Sequence, residues 1–374
     1  MNVVKLQKLH YIDTIRGIAI LMVISCHSAQ LGAVKGSYLF SAFFSLGARG
    51  VQLFFIASAF TLFRSYKGRE NLEKRPVQNF FIRRFFRIAP IYYLGIIYYF
   101  FRITYDLPYW FGSQLYISKS NLLSNVFFLH GISPYWINSF IPGGWSISVE
   151  MFFYVTSPFL FRKIRNINEA FIFLNFTLLI KLILQVFFHS FEVIPETYLW
   201  REFLFYYFPC QLPIFALGIM MYFFIEDKTS LKQINTKVLI LFFILLFIQV
   251  GIKIDFLYLN HILFGILFLI FGVLLSKEKL KFLSNAVIQY VGRISFSMYI
   301  IHFIVISWLA KFDLIDFSNL YLINFLFRLL LTLIVSSIIS TITYYTIEIP
   351  FQNLGKKIIR KREFKFNQKG NNLI

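Results

Sequence analysis

Arg16 and His27 bracket an uncharged stretch in RGIAILMVISCH. On an α-helix a step of eleven residues turns by about 1100°, three turns and roughly 20°. The guanidinium and the imidazole therefore share one face, ~16 Å apart along the axis. Ionisable groups in an apolar helix normally face a bundle interior or a water-filled cavity, because hydrocarbon cannot solvate them. A histidine held there can serve as a general base or as a nucleophile. The plainer assignment has Arg16 reaching back to lipid headgroups and His27 satisfied inside a helix bundle.

Two further stretches carry chemistry. FFIRRFFRIAP holds Arg83, Arg84 and Arg87, of which Arg84 and Arg87 are three apart and can share a helix face. The planar donor fork of arginine suits phosphates, although anchoring topology is the commoner use of such residues. GGWSISVEMFFYVTSPFL sets Glu150 inside an apolar run. A carboxylate there is costly and marks either a functional site or a bond that pins two helices. Glu150 is expected to orient His27 and stabilise its protonated form. Trp145, Ser146, Ser148 and Tyr154 flank it as candidate supporting groups for a developing oxyanion, with no role assigned to any one of them.

The elements that must position these residues are membrane helices. The 374 residues are 58% hydrophobic, 21% aromatic and only 14% charged, with a mean hydropathy of +0.68. Such a composition belongs to an all-α polytopic integral membrane protein. Apolar segments of spanning length fall at 14–34, 40–64, 85–103, 145–162, 169–189, 203–225, 237–253, 257–276, 289–310 and 320–347, giving about ten transmembrane helices. A shorter piece at 121–132 reads as re-entrant or interfacial. The net charge of +20 does not call for nucleic acid. With both termini in the cytoplasm, most Lys and Arg fall in loops on that side, as the positive-inside bias requires.

The domain reading is a single transmembrane domain over 1–354 followed by a basic cytoplasmic tail, 355–374. Arg16 argues against a cleaved signal peptide. Cys26 and Cys210 lie in apolar stretches, so no disulfide framework is expected. His10, His130, His189 and His261 lack metal-site spacing, and no metal is expected. Lys181 and Arg328 are expected to pair with neighbours or snorkel. Glu348 followed by Pro350 is expected to mark the end of the last helix.

The strings IDTIRGIAILMVISCH, GVQLFFIASAFTLF, IRRFFRIAPIYY, GGWSISVEMFFY, LPIFALGIMMY, RISFSMYIIHF and TIEIPF, in that order over nearly the whole chain, resemble the membrane acyltransferase family 3. Members of that family, often ten-helix proteins, O-acylate cell-surface sugars. The resemblance implies that His27 is the catalytic residue, paired with Arg16, and that Arg84 and Arg87 bind the acyl donor. It matches Trp145, Ser146 and Glu150 to a tryptophan–serine–carboxylate motif, and Ser297, Tyr299 and His302 to a motif near the ninth span. Two departures stand in the second span, where many members have GVDLFFVLSGF: Gln52 replaces the acid and Ala59 a glycine.

The activity so implied is transfer of an acyl group, with acetyl the family default, from cytoplasmic acyl-coenzyme A to a hydroxyl of a cell-surface glycan or lipid-linked sugar. The acyl-coenzyme A is a co-substrate and no cofactor is bound. Arg83, Arg84 and Arg87 would hold the donor phosphates, Arg16 would line the way in, and His27 would act as base or take the acyl group itself. The protein would sit in the cytoplasmic (inner) membrane, in contact with lipids. The rival reading is a transporter or flippase whose charges line a solute path.

Overall fold

The computed structural model describes residues 9–32, 38–103, 117–227, 237 and 258–371. Among them the chain is all-helical, with no strand. The helices are α1 His10–Gln30, α2 Tyr38–Ser45, α3 Gly50–Lys67, α4 Pro76–Ile103, α5 Lys119–Val126, α6 Trp145–Lys163, α7 Ile167–Ser190, α8 Thr197–Tyr206, α9 Phe208–Glu226, α10 Asn260–Ser276, α11 Ala286–Lys311, α12 Tyr321–Thr343 and α13 Ile349–Asn371. Six described segments are long and apolar enough to cross a membrane: His10–Gln30, Phe43–Lys67, Ile167–Ser190, Thr197–Glu226, Ala286–Lys311 and Tyr321–Phe364. Helices α4, α6 and α10 coincide with three more of the expected segments, but charge or length keeps them out of that class. The expected span 237–253 lies outside the described residues.

The protein is built for lipid, and α12 shows why. Leu326, Leu330, Ile334, Ile338 and Ile342, four residues apart, are exposed, while Arg328, Thr332, Ser336 and Ser340 on the other face are buried. An apolar outside and a polar inside is the reverse of a soluble surface helix, and it is the arrangement hydrocarbon demands. The short piece at 121–132 is α5 and a following turn, held by buried polar bonds. Asn125 Nδ2 donates to Asn121 Oδ1 at 3.0 Å, and His130 Nε2 lies 3.0 Å from the Gly144 carbonyl oxygen.

Helix α1 is the central strut, packed on α3, α11 and α12. Its crossing with α11 is set by glycine. A Cβ on Gly292 would fall 1.8 Å from the Asp13 carbonyl oxygen, and one on Gly17 would fall 2.2 Å from that of Ile288. The far end of α1 is tied by Arg328, which is fully buried. Its Nε donates to the Ser28 carbonyl at 3.1 Å and its Nη1 to Asp316 Oδ1 at 3.0 Å. Of the two roles expected for this residue, pairing is the one observed. Arg328→Gln is expected to lower stability by roughly 3 kcal/mol, because Asp316 and the Ser28 carbonyl lose their partner in a mostly dry site. Thermal unfolding in detergent measures it.

One expectation is corrected. The last helix does not end at Glu348 and Pro350. Tyr344–Glu348 form a π-helical turn, and α13 continues from Ile349 through Asn371. The wider turn relieves the clash that a proline ring makes with the preceding turn of an α-helix. The segment from 355 is thus helical, and it docks on α4. Glu363 accepts from Asn79 Nδ2 at 2.8 Å and from the Lys74 amide at 3.0 Å.

Candidate functional site

Most of the residues singled out in the sequence line two cavities near opposite ends of α1. A small cavity of about 60 Å³ is walled by Arg16, Thr61, Arg84, Arg87, Glu150 and Tyr154, with Ser146 and Ser295 among the other linings. Arg16 Nη2 donates to Thr61 Oγ1 at 3.2 Å. Arg84 is buried, its guanidinium carbon 5.8 Å from the Phe80 ring centre and 5.9 Å from that of Tyr154. Its Nε has no hydrogen-bond partner in the structure. Glu150 accepts from Ser58 Oγ and from Tyr154 Oη, each at 2.5 Å. Three guanidinium groups thus share a narrow space with one carboxylate.

The second cavity is broad, about 1560 Å³, and holds His27 with Arg49, Trp145, Glu202, Tyr206 and His261 among its linings. The His27 ring centre lies 4.5 Å from that of Phe303 and 5.5 Å from that of His302. His302 is fully buried. Its Nδ1 meets the Met298 carbonyl oxygen at 3.0 Å, which assigns the ring proton to Nδ1. Its Nε2 has no hydrogen-bond partner in the structure.

Val51 and Tyr299 line both cavities and form the partition between them. The Tyr299 hydroxyl lies 2.9 Å from that of Ser146, and both reach the Gly143 carbonyl oxygen at 3.0 Å.

Three expectations change. Glu150 does not stand beside His27, because it lines the small cavity with Arg16. On α6 the reason is periodicity: Ser146, Glu150 and Tyr154 are four apart and face the small cavity, whereas Trp145, about 140° from Glu150, faces the broad one. Arg83 lines neither cavity. Its Nη1 and Nη2 clasp Glu73 at 2.7 and 3.1 Å. Ser148 lines neither as well; its hydroxyl donates to the Phe128 carbonyl at 2.8 Å and accepts from the Gly131 amide at 3.0 Å. Arg49, Glu202 and Tyr206 were missed. Arg49 had a signal, being a charge within an apolar segment; the other two are joined to the site only by folding.

The comparisons with known proteins settle the family. A family model described as an acyltransferase domain matches residues 9–343. The chain belongs to the acyltransferase 3 family. It is a membrane protein. It is also similar to Nodulation protein 10 of Rhizobium leguminosarum bv. viciae, 29% identical over 151 residues. That match covers 37% of the chain and 39% of the nodulation protein, so it spans well under two thirds of the relative's length. No solved structure matches.

Proposed function

We propose that the protein moves an acyl group, acetyl by default, from cytoplasmic acyl-coenzyme A to a hydroxyl of an extracytoplasmic cell-surface glycan or lipid-linked sugar. It works in the cytoplasmic membrane as a ten-span protein with both termini inside. One observation carries the reading: two cavities near opposite ends of α1, one narrow and basic, one broad and holding His27, with Val51 and Tyr299 in the wall of both. An enzyme whose two substrates arrive from opposite sides needs them to meet at such a shared wall.

Arg84 and Arg87 receive the donor phosphates at the basic mouth, and Arg16 lies deeper on the same path. Arg83 drops out of this group, since Glu73 already neutralises it. The small cavity holds room for only a few waters, so its side chains shift as the donor arm enters. Glu150 keeps the arginine cluster from repelling itself. At the partition, an acceptor hydroxyl from the broad cavity gives its proton to His27 as its oxygen attacks the thioester carbonyl. The carbon–sulfur bond breaks, and the imidazolium returns the proton to the departing thiolate. His302, its Nε2 unengaged, backs His27.

The test compares envelope glycans, by NMR or mass spectrometry, from cells with and without the active protein. Loss of an ester at unchanged glycan abundance supports the enzyme; a changed amount of glycan without a lost ester supports a flippase and overturns it. For the donor, Arg84→Ala and Arg87→Ala are each expected to weaken acyl-coenzyme A affinity by about tenfold, the scale of one charge-assisted contact. Added salt should mimic the defect in the wild type, because the contacts are ionic. Calorimetric titration measures it, and unchanged affinity in both variants removes the assignment.

A further inference from the structure

The broad cavity contains two guanidinium groups that the reaction above does not use, the exposed Arg201 and the half-buried Arg49, which shares a wall with His27. Arg49 ends the short helical turn Leu46–Arg49 that leads into α3. Its backbone is seated on α1 by its glycine neighbours: a Cβ on Gly47 would fall 2.2 Å from the Met22 carbonyl oxygen, and one on Gly50 would fall 2.4 Å from that of Ala19. This seating sets Arg49 in the same wall as Val23 and His27. The guanidinium carbon lies 5.3 Å from the Phe205 ring centre.

Among the described residues no carboxylate stands within 4 Å of Arg49. The acids of the cavity are engaged elsewhere. Glu196 Oε2 accepts from Tyr135 Oη at 2.5 Å, and Glu202 is hydrogen-bonded by Tyr206. Gln52, three residues on and therefore on the same face of the helix, carries no charge. Here its Nε2 donates to Gln211 Oε1 at 3.1 Å, a neutral pair. A partly desolvated guanidinium with no carboxylate in ion-pair contact favours an anion that brings oxygen acceptors. Trp145 and Tyr206, packed on each other with ring centres 4.5 Å apart and planes tilted by 32°, add aromatic surface to the same cavity.

We infer that the broad cavity selects an acceptor sugar bearing an oxyanion, a carboxylate or a phosphate, which Arg49 holds while a hydroxyl of the same sugar faces His27. The inference rests on reading this cavity as the acceptor side.

Saturation-transfer NMR on the full chain in nanodiscs tests it with three probes: methyl glucoside, methyl glucuronoside and glucose 1-phosphate. In the wild type the two anionic probes should half-saturate at about a tenth of the concentration that the neutral one needs. A tighter phosphate points to a lipid-linked sugar and a tighter glucuronoside to an acidic glycan; either supports the site. Arg49→Gln should abolish the advantage of both anions and leave methyl glucoside unchanged. Gln52→Glu, close in shape, should do the same by supplying Arg49 with a carboxylate, and it decides the matter alone should the first variant not fold. Equal titration of all three probes in the wild type, or an anion advantage that survives in the folded variants, overturns the proposal. His27→Ala should keep the anion preference. If that variant still transfers acyl groups, the role of His27 falls and the anion site stands; if the three probes titrate alike, the anion site falls and the reaction stands.

Discussion

His27→Ala is expected to cut acyl transfer by about a thousandfold, the middle of the range that a positioned general base contributes. The side chain lines a cavity rather than filling a dry core, so its removal should leave abundance, membrane insertion and donor affinity near the wild type. The loss should therefore appear in kcat, with KM for the donor little changed, as expected of an interaction made in the transition state. His302→Ala should show a smaller loss of the same kind, because that ring touches His27 and lines neither cavity. Single-turnover assay of the purified variants separates chemistry from binding. A His27→Ala protein with near-normal kcat would remove the imidazole from the mechanism.

Gly292→Ala is expected to be the most damaging single-methyl change in the protein. The added carbon would sit 1.8 Å from a backbone oxygen of α1 and 3.0 Å from the Gly17 nitrogen. Neither neighbour is the free end of a flexible side chain, so the two helices must part. Overpacking of this kind costs about 3 kcal/mol when the backbone has to move. Because α1 carries Arg16 and His27 while α11 carries Tyr299 and His302, the separation should depress activity along with the unfolding temperature. Gly355→Ala is the comparison. Its nearest neighbours, Phe86 Cβ, Cδ2 and Cγ, lie at 3.0 to 3.1 Å and need give only a few tenths of an ångström, so it should lose far less. Thermal unfolding of both variants checks the order, and equal loss would show that the crossing tolerates a shift.

Much of this architecture is legible in the residues. Apolar runs such as 169–189 and 289–310 coincide with α7 and α11, since a stretch of that length with only one or two charges has few alternatives to a membrane helix. The shared face of Arg16 and His27 also follows from the helical repeat. Their separation into two cavities does not, because a partition made of Tyr299 and Val51 comes from α11 and α3, remote in sequence. The grouping of Glu150 with Arg16 was half legible. The period of α6 already places Trp145 and Glu150 on different faces, but which face meets His27 is decided by packing. Arg83 shows the opposite limit: its partner Glu73 lies ten residues earlier, across a turn that no helical repeat predicts. Pro350 misled for a physical reason, since a π-turn accommodates a ring that a regular helix rejects.

That turn has a geometric result. The helical segment from Tyr321 to Phe364 is 44 residues long, and at about 1.5 Å per residue it measures ~66 Å. A bilayer is only ~45 Å thick with its headgroups, so a helix of that length standing upright leaves about 20 Å as surplus. The surplus carries Lys356, Lys357, Arg360, Lys361 and Arg362 and lies against α4, the helix that bears Arg84 and Arg87. A polyanion near this cationic stretch is drawn to it electrostatically, which raises its local concentration beside α4.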